Sequence, residues 1–392
     1  MPPTNPGMSE AAPIPPLPGF VGYFLRLGAI GFGGPIALAG AMQRDLVETR
    51  GWVSEADYHE ALTFAQLAPG PLAAQLAIYL GYVRAGVLGA TLVGVAFILP
   101  SFLMVLGLAA LYLRYGGLPW MQALFYGVGA AVIGIITRSA FKLAKSTLKS
   151  DRLQWGIFLL LAITTAWTGR EWVALIVAAG ILTWALQAKP WQRSGVALGL
   201  WPGWMLTGLQ GPVAVSTLGG IFGFFAKAGL FVFGSGLAIV PFLRGGVVSD
   251  HHWLSDRQFL DAVAVAMITP GPVVITVAFI GHLVAGPLGA CAAALGVFLP
   301  VYLMVILAAP LFRKHGQNPG LKAAVRGVTA GAVGAIAGSV VVLGRGAIRD
   351  VPTLLIAGGT LALIWKTKIP EPLLVIGAGL LGLVLAHAKP LH

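Results

Sequence analysis

Residues 66–80 read Gln-Leu-Ala-Pro-Gly-Pro-Leu-Ala-Ala-Gln-Leu-Ala-Ile-Tyr-Leu, and residues 267–280 carry a second Pro-Gly-Pro in an apolar run. Proline removes a backbone donor and clashes with the preceding helical turn. Two prolines around one glycine therefore predict that the helix splits in two here, with a half-helix that begins at Pro71, and that the same break occurs at 270–272 with a half-helix that begins at Pro272. These interrupted helices decide the fold, because broken helices in apolar segments survive only where protein or water satisfies the freed backbone groups.

The two Pro-Gly-Pro segments belong to an internal repeat. Residues 24–71 align with residues 225–272 without a gap, and the alignment places Glu60 on Asp261. Further along the chain the offset between the halves falls from 201 to 200, and the similarity continues. Glycine and proline carry much of the match, and these residues fix backbone shape. We therefore expect the two halves to share a fold.

The composition of the chain places both halves in a membrane. Hydrophobic residues make up 57% of the 392 residues and charged residues only 10%, with a mean hydropathy of +0.87. Soluble domains carry about 25% charged residues. Apolar runs such as 87–113 and 211–243 are long enough to cross a bilayer as helices, and single spans are also predicted over residues 20–41 and 58–82. The sequence therefore predicts an all-α polytopic membrane protein built from two homologous repeats.

The same composition excludes several classes of function. The net charge of +12 comes from scattered basic residues and not from a basic run, so we expect no nucleic-acid partner. The single Cys291 excludes an intrachain disulfide. No Cys/His cluster has metal-ligand spacing, so we expect no metal and no cofactor. The sequence lacks a Gly-x4-Gly-Lys-Ser/Thr motif, and its loops lack a catalytic set, so neither an ATP-driven pump nor an enzyme is favoured.

The charges of the loops bear on the topology. We divide the chain into a disordered tail (1–18), a first repeat (19–190), a linker (191–216) and a second repeat (217–392). If the linker stretch 195–211 crosses the membrane, the repeats are inverted and most basic residues lie on the cytoplasmic side; otherwise the repeats are parallel and the split is nearly even. Only the first arrangement obeys the positive-inside rule. It predicts about 13 spans, a cytoplasmic N-terminus and a periplasmic C-terminus.

The interrupted helices are candidate anion sites. Half-helices that begin at Pro71 and Pro272 would present free N–H groups and the positive end of the helix dipole to an anion. The alternative is a packing kink. The Phe32–Pro35 turn and the matching turn around Gly234 are second breaks, for which close helix packing is an equally good explanation. The predicted substrate-binding backbone residues are Gly33, Gly34, Pro69, Gly70, Pro71, Gly234, Pro270, Gly271 and Pro272.

Two pairs of charged residues occupy matching positions in the repeats. Arg26 and Lys227 fall inside the first span of each repeat. A charge within a span is costly, so we predict that both bind an anionic substrate, although a long side chain can also snorkel to the interface. Glu60 and Asp261 are candidates for proton coupling, or simply acids that stabilise a helix start. His282 has no histidine counterpart in the first repeat and is interpreted as structural.

These motifs together resemble the chromate ion transporter family. The residues that carry the resemblance are Phe32-Gly33-Gly34-Pro35, Trp52, Pro69-Gly70-Pro71, Gly81-Tyr82 and Leu99-Pro100-Ser101. The long members of this family hold two such domains in one chain. The resemblance implies an inner-membrane protein that exports chromate and gives chromate resistance. The second repeat departs from the pattern at Ser235-Gly236, Gly281-His282 and Val301, which weakens the expectation that both repeats do the same work.

The residues themselves leave the substrate and the mechanism open. Chromate and sulfate are both tetrahedral dianions, and no residue in the sequence separates them. A secondary transporter such as an antiporter is the favoured interpretation, with an anion channel of the same fold as the alternative and a membrane enzyme far behind. Whether the chain forms a homodimer is also open.

Overall fold

The computed structural model describes residues 16–32, 34–116, 118–149, 151–169, 172–188, 217–230, 239–315, 319–367 and 369–388. Every regular element within these ranges is helical. The all-α prediction is therefore confirmed for the described part of the chain. The tail up to residue 15 and the linker stretch 195–211 lie outside it.

The described residues of the first repeat form seven α-helices. They are α1 Leu17–Ile30, α2 Gly34–Met42 (continued by a π-helical turn, Gln43–Thr49), α3 Glu55–Leu67, α4 Leu72–Tyr115, α5 Pro119–Leu148, α6 Arg152–Thr168 and α7 Val173–Ala188.

The second repeat has the same order of elements. They are α8 Thr217–Leu230, α9 Ile239–Arg244 (continued by a π-helical turn, Gly245–Asp250), α10 Asp256–Ile268, a 3₁₀ turn Val273–Ile275, α11 Thr276–His315, α12 Pro319–Ala347, α13 Val351–Lys366 and α14 Glu371–Ala388.

Helix α4 is bent back on itself near its first third. Ala85 and Gly86 leave the helical conformation, and Gly86 has a φ of +56°, which favours glycine. They divide α4 into a short arm (72–84) and a long arm (87–115). Gly81 lies directly against the carbonyl of Gly89, so the two arms pack antiparallel. Helix α11 has the same break at 285–286, between a short arm (276–284) and a long arm (287–315).

The first Pro-Gly-Pro forms the tip of a helical hairpin. The Tyr79 hydroxyl, on the short arm of α4, hydrogen-bonds the Glu60 carboxylate on α3, and the Tyr79 ring lies 5.0 Å from the Phe64 ring. Glu60 and Tyr79 lie at nearly equal distances along the sequence on either side of Gly70. Their contact therefore shows that α3 and the short arm fold back on each other. The sequence predicted one interrupted span over 58–82, and the fold-back is a correction. Each half-helix is about 20 Å long, which is too short to cross a bilayer core of about 30 Å.

Helices α1 and α2 also fold back on each other. The Tyr23 hydroxyl donates a hydrogen bond to Asp45 at 3.3 Å, and the Phe20 and Trp52 rings lie 6.4 Å apart. The turn between them contains Gly34, whose φ of +75° starts α2. The second predicted break is therefore also the tip of a hairpin, in place of the single span predicted over residues 20–41.

The last two helices of each repeat pack on the other repeat. Helices α13 and α14 lie against α5, and helices α6 and α7 lie against α12. Close approach depends on glycine, since a side chain on Gly127 would overlap the carbonyl of Ala378, and one on Gly327 would overlap the carbonyl of Ala179. This reciprocal exchange makes the two repeats a single packed unit.

Four helices in the described ranges are long and apolar enough to cross a membrane on length and composition. They are Leu72–Tyr115, Pro119–Lys145, Val273–Pro310 and Ala323–Ala347. Five shorter apolar helices accompany them. These lengths support a location in the membrane. The number of spans stays a prediction.

Asp350 joins the two repeats at the start of α13. Its carboxylate caps the helix by accepting from the Thr353 amide at 2.9 Å, and it also accepts a hydrogen bond from the Tyr126 hydroxyl of α5 at 2.6 Å. Burial raises the pKa of Asp350, but the hydrogen bonds from Tyr126 and Thr353 outweigh it and hold that pKa below its usual range. The stabilisation is therefore present above the ordinary pKa of aspartate and is lost as the pH falls.

We expect Asp350→Ala to destabilise the protein by about 1 kcal/mol at neutral pH, the usual cost of losing a helix cap. Thermal unfolding in detergent at neutral and acidic pH measures the change. Asp350→Asn is the matched control, because asparagine still caps a helix but has no charge. An alanine variant as stable as the wild type would show that the cap does not contribute.

Candidate functional site

The first Pro-Gly-Pro opens a helix N-terminus inside the protein. Helix α3 ends at Leu67 and α4 begins at Leu72, with Pro71 as its N-cap. The amides of the first helical turn have no acceptor within the helix, and together with the helix dipole they favour an anion. The Gln75 side chain, fully buried, donates to the Pro69 carbonyl at 2.8 Å and braces the tip.

The second Pro-Gly-Pro is seated on the first repeat. The Gly271 amide donates to the Gly31 carbonyl at 2.7 Å. A Cβ on Gly271 would overlap the Ser101 hydroxyl, which itself donates to the Gly28 carbonyl at 3.2 Å. The Pro-Gly-Pro tip of the second repeat thus contacts the end of α1 and the long arm of α4, both in the first repeat.

The first tip has the reciprocal contact. A Cβ on Gly70 would lie 3.1 Å from the Val301 side chain, on the long arm of α11. Val301 and Ser101 occupy equivalent positions in the repeats. Each break is therefore packed on the other repeat, with a hydroxyl at only one of the two contacts.

The structure confirms where the helices break and buries the predicted residues there. Gly70, Pro71 and 270–272 are buried, and Pro69 is half-buried. Gly34 is half-buried at the start of α2. Gly33 and Gly234 lie outside the described residues.

The two predicted cations have different surroundings. Arg26 is exposed on α1, one turn before the Gly31 carbonyl that holds Gly271, whereas Lys227 is half-buried in the last turn of α8. The two residues lie on equivalent helices, α1 and α8, as the repeat alignment predicts. Their part in substrate binding stays a prediction.

Each predicted carboxylate is paired with a tyrosine. Glu60 accepts a hydrogen bond from Tyr79 of its own repeat. Asp261, with 4% of its surface exposed, accepts one at 2.6 Å from Tyr112 of the other repeat. Neither tyrosine was predicted from the sequence as a partner of these carboxylates. The repeat alignment could have drawn attention to both tyrosines, because each is matched by a phenylalanine in the opposite half and so carries a hydroxyl that its counterpart lacks.

An apolar cavity of about 510 Å³ lies between the two long arms. Its residues come from equivalent positions of the repeats: Thr91 and Cys291, Gly94 and Ala294, Val95 and Leu295, Ile98 and Phe298, Leu99 and Leu299, Phe102 and Tyr302, together with Ile78. The Thr91 and Tyr302 hydroxyls hydrogen-bond each other at 2.7 Å. A wall of this chemistry does not suit an oxyanion, so the candidate site remains at the helix tips.

Apolar helices, reciprocal repeats and helix tips held inside the protein define a polytopic membrane protein of the transporter class. The model of the chromate transporter family matches residues 20–184 and 219–383. The chain therefore belongs to the chromate transporter family, with one match in each repeat.

Curated relatives cover nearly the whole chain. The chromate transport protein of Cupriavidus metallidurans is 58% identical over 385 residues, covering 97% of this chain and 96% of the relative. The probable chromate transport protein of Synechococcus elongatus is 58% identical over 92% of this chain and 94% of its own. The chromate transport protein of Pseudomonas aeruginosa is 32% identical over 95% and 94%. No solved structure matches the chain.

Proposed function

We propose that this chain is a secondary transporter that exports chromate from the cytoplasm across the inner membrane and thereby gives chromate resistance. The observation that carries the proposal is the reciprocal seating of the two Pro-Gly-Pro tips, each against the long arm of the other repeat. Such tips direct helix N-termini towards the interior, where an oxyanion needs donors to replace its water shell. The names of the relatives supply the choice of chromate.

We further propose that the repeats are inverted in the membrane. The support is the pairing of the long arms, in which Thr91 near the start of one bonds Tyr302 in the middle of the other. Equivalent helices related by an axis along the membrane normal would instead bring Thr91 near residue 291. In the inverted arrangement α7 ends and α8 begins on opposite faces, the N-terminus is cytoplasmic and the C-terminus is periplasmic.

The topology predicts that an epitope tag after His392 reacts with antibody only from the periplasmic side. A tag after residue 188, in the first repeat, is the internal control and should react from the cytoplasm. Cytoplasmic labelling at both positions would contradict the inverted arrangement.

Export of a dianion requires no other energy source than the membrane potential. Two charges crossing 100 mV gain about 4.6 kcal/mol, at roughly 2.3 kcal/mol per charge. At ~1.4 kcal/mol per factor of ten, this supports a concentration ratio of about 2000. Exchange or proton coupling would add to this gradient, with Glu60 and Asp261 as the candidate proton carriers.

Flux in proteoliposomes tests the proposal. Labelled chromate efflux is measured under imposed voltage and pH gradients, with sulfate as competitor. Saturation and countertransport support a carrier, whereas flux that rises linearly with concentration supports the alternative of an anion channel. Preferred transport of sulfate would assign the fold to another oxyanion, and absence of flux for both anions would overturn the proposed function.

A further inference from the structure

The helix starts that follow the two Pro-Gly-Pro tips differ in their supply of free donors. Helix α4 begins directly at Leu72, and the Gln75 amide donates to the Pro71 carbonyl at 2.9 Å. The amides of residues 72–74 therefore have no acceptor within the helix. The N-cap residue Pro71 has no side-chain oxygen that could accept from them, so these donors are available to a ligand.

The second tip has already used more of its donors. Its chain passes through the 3₁₀ turn 273–275, in which the Ile275 amide donates to the carbonyl before the turn at 2.9 Å and the Thr276 amide donates to carbonyls within it. The Gly271 amide donates to the Gly31 carbonyl. The second tip keeps the dipole of α11, but three of its amides are bonded to the protein.

Gln75 lies at the first tip with an unpaired side-chain oxygen. The side chain is fully buried and its amide packs directly on Gly70, since a Cβ there would lie 2.6 Å from Nε2. One N–H of Nε2 donates to the Pro69 carbonyl at 2.8 Å, and Oε1 has no hydrogen-bond partner in the described part of the chain. Because a buried polar atom without a partner costs free energy, this amide is suited to a ligand.

The equivalent side chain of the second tip is used within the protein. Counted from the Pro-Gly-Pro, Thr276 takes the place of Gln75. Thr276 is also fully buried, but its hydroxyl donates to the Val273 carbonyl at 2.7 Å. This hydroxyl therefore holds the turn together, whereas the Gln75 amide keeps an N–H and a carbonyl oxygen for another partner.

Gln154 shows how the first tip differs from another buried amide at a helix start. Gln154 lies in the first turn of α6, is 3% exposed and has an unpaired Oε1. However, the Asp151 carboxylate caps α6 by accepting from the Leu153 amide at 3.0 Å and from Gln154 Nε2 at 3.1 Å. That carboxylate repels an anion, whereas the first turn of α4 contains no acidic residue.

We propose that Gln75 binds the oxyanion directly at the first tip. The inference rests on the proposed transport function and assigns a side-chain ligand to its binding site. The oxyanion accepts hydrogen bonds from the amides of residues 72–74 and from the second N–H of Gln75 Nε2. A water molecule that the oxyanion keeps from its hydration shell donates to Oε1. The second tip contributes the dipole of α11 and the contact that seats it on the first repeat.

Chromate titrations of purified variants test the inference. Gln75→Met removes the amide and keeps an unbranched side chain of similar length. The chromate Kd should rise by about 10- to 100-fold, the range for losing a hydrogen bond to a charged group. Gln154→Met is the matched control and should bind as the wild type does. Thr276→Val should also bind normally, because its hydroxyl acts only within the second tip.

Thermal unfolding in detergent separates binding from a purely structural role. Bound chromate should raise the unfolding temperature of the wild type, and the same chromate concentration should raise that of Gln75→Met much less. If Gln75→Met does not fold, Gln75→Asn replaces it. The shorter asparagine amide cannot reach both the Pro69 carbonyl and the oxyanion, so the chromate Kd should rise in this variant as well.

Two results would overturn the inference. A wild-type Kd in the folded Gln75 variants would show that this side chain only braces the tip. An equal loss of affinity in Thr276→Val or Gln154→Met would show that the effect is not specific to the first tip. In both cases wild-type chromate flux upholds the proposed function, whereas a wild-type protein that neither binds nor transports chromate would overturn the proposed function and this inference with it.

Discussion

Replacing Gly271 by valine is expected to reduce chromate flux by about 100-fold or more while the protein still inserts in the membrane. Gly271 has a φ of +96°, in the region that favours glycine, and its amide holds the Gly31 carbonyl. A side chain would overlap the Ser101 hydroxyl and lie 3.1 Å from the Gly28 carbonyl at its first carbon. Overpacking of this kind costs about 1–3 kcal/mol, and left-handed strain adds about 1–2 kcal/mol.

The expected loss is specific to the tip, because the surrounding helices have other anchors. Flux is measured in proteoliposomes, and size-exclusion chromatography of the same preparation reports folding. Gly107→Ala is the control, since Gly107 lies on the long arm of α4 with open space around it, and it should transport normally. Wild-type flux in Gly271→Val would show that the tip is remote from the transport path.

Much of this geometry follows from local sequence signals. Proline chemistry predicted a helix break at residues 69–71, and the structure confirms the break, since α3 ends at Leu67 and α4 begins at Leu72. The stretch Ser255-x-x-Gln258 has the sequence pattern of a capping box, and the structure forms one, with the Gln258 amide bonded to the serine hydroxyl and the Gln258 side chain bonded back. Such features depend on a few consecutive residues, and the repeat doubles the evidence for each of them.

The direction of the chain after each break could not be predicted in the same way. The segment 58–82 has the length of a single span, and hydropathy does not distinguish a kinked span from two half-helices folded together. The difference lies in side-chain contacts such as Tyr79 to Glu60, which depend on tertiary packing. Proline restricts the backbone at the break but does not choose between these two paths.

The partners of the carboxylates were missed for a related reason. Asp261 and Tyr112 are 149 residues apart and belong to different repeats. The sequence places Asp261 near a helix start, which is explained by the helix dipole alone. The packing of the long arm of α4 against α10 reveals that the hydrogen-bond donor to Asp261 comes from the other repeat.

Arg26 and Lys227, which the sequence places inside predicted spans, are expected to contribute strongly to substrate affinity. Two helix N-termini supply about half a positive charge each, so they leave roughly one charge of a dianion uncompensated. Arg26 lies one turn before the tip at Gly31, and Lys227 lies in the last turn of α8. A cation within a membrane is costly in lipid and stable beside water or an anion, so the predicted location of the exposed Arg26 within a span favours a substrate path along α1.

We therefore expect Arg26→Ala and Lys227→Ala each to raise the chromate Kd by about 10- to 100-fold, the range for losing a hydrogen bond to a charged group. Arg26→Lys should retain more affinity than Arg26→Ala, because lysine keeps the charge and loses only the planar fork of donors. Lys145→Ala, an exposed cation on α5, is the control and should bind normally. Chromate titrations of the purified variants, with sulfate as competitor, measure these affinities. Wild-type affinity in both alanine variants would mean that the two cations only reach towards the membrane surface, and that backbone donors at the helix tips bind the oxyanion alone.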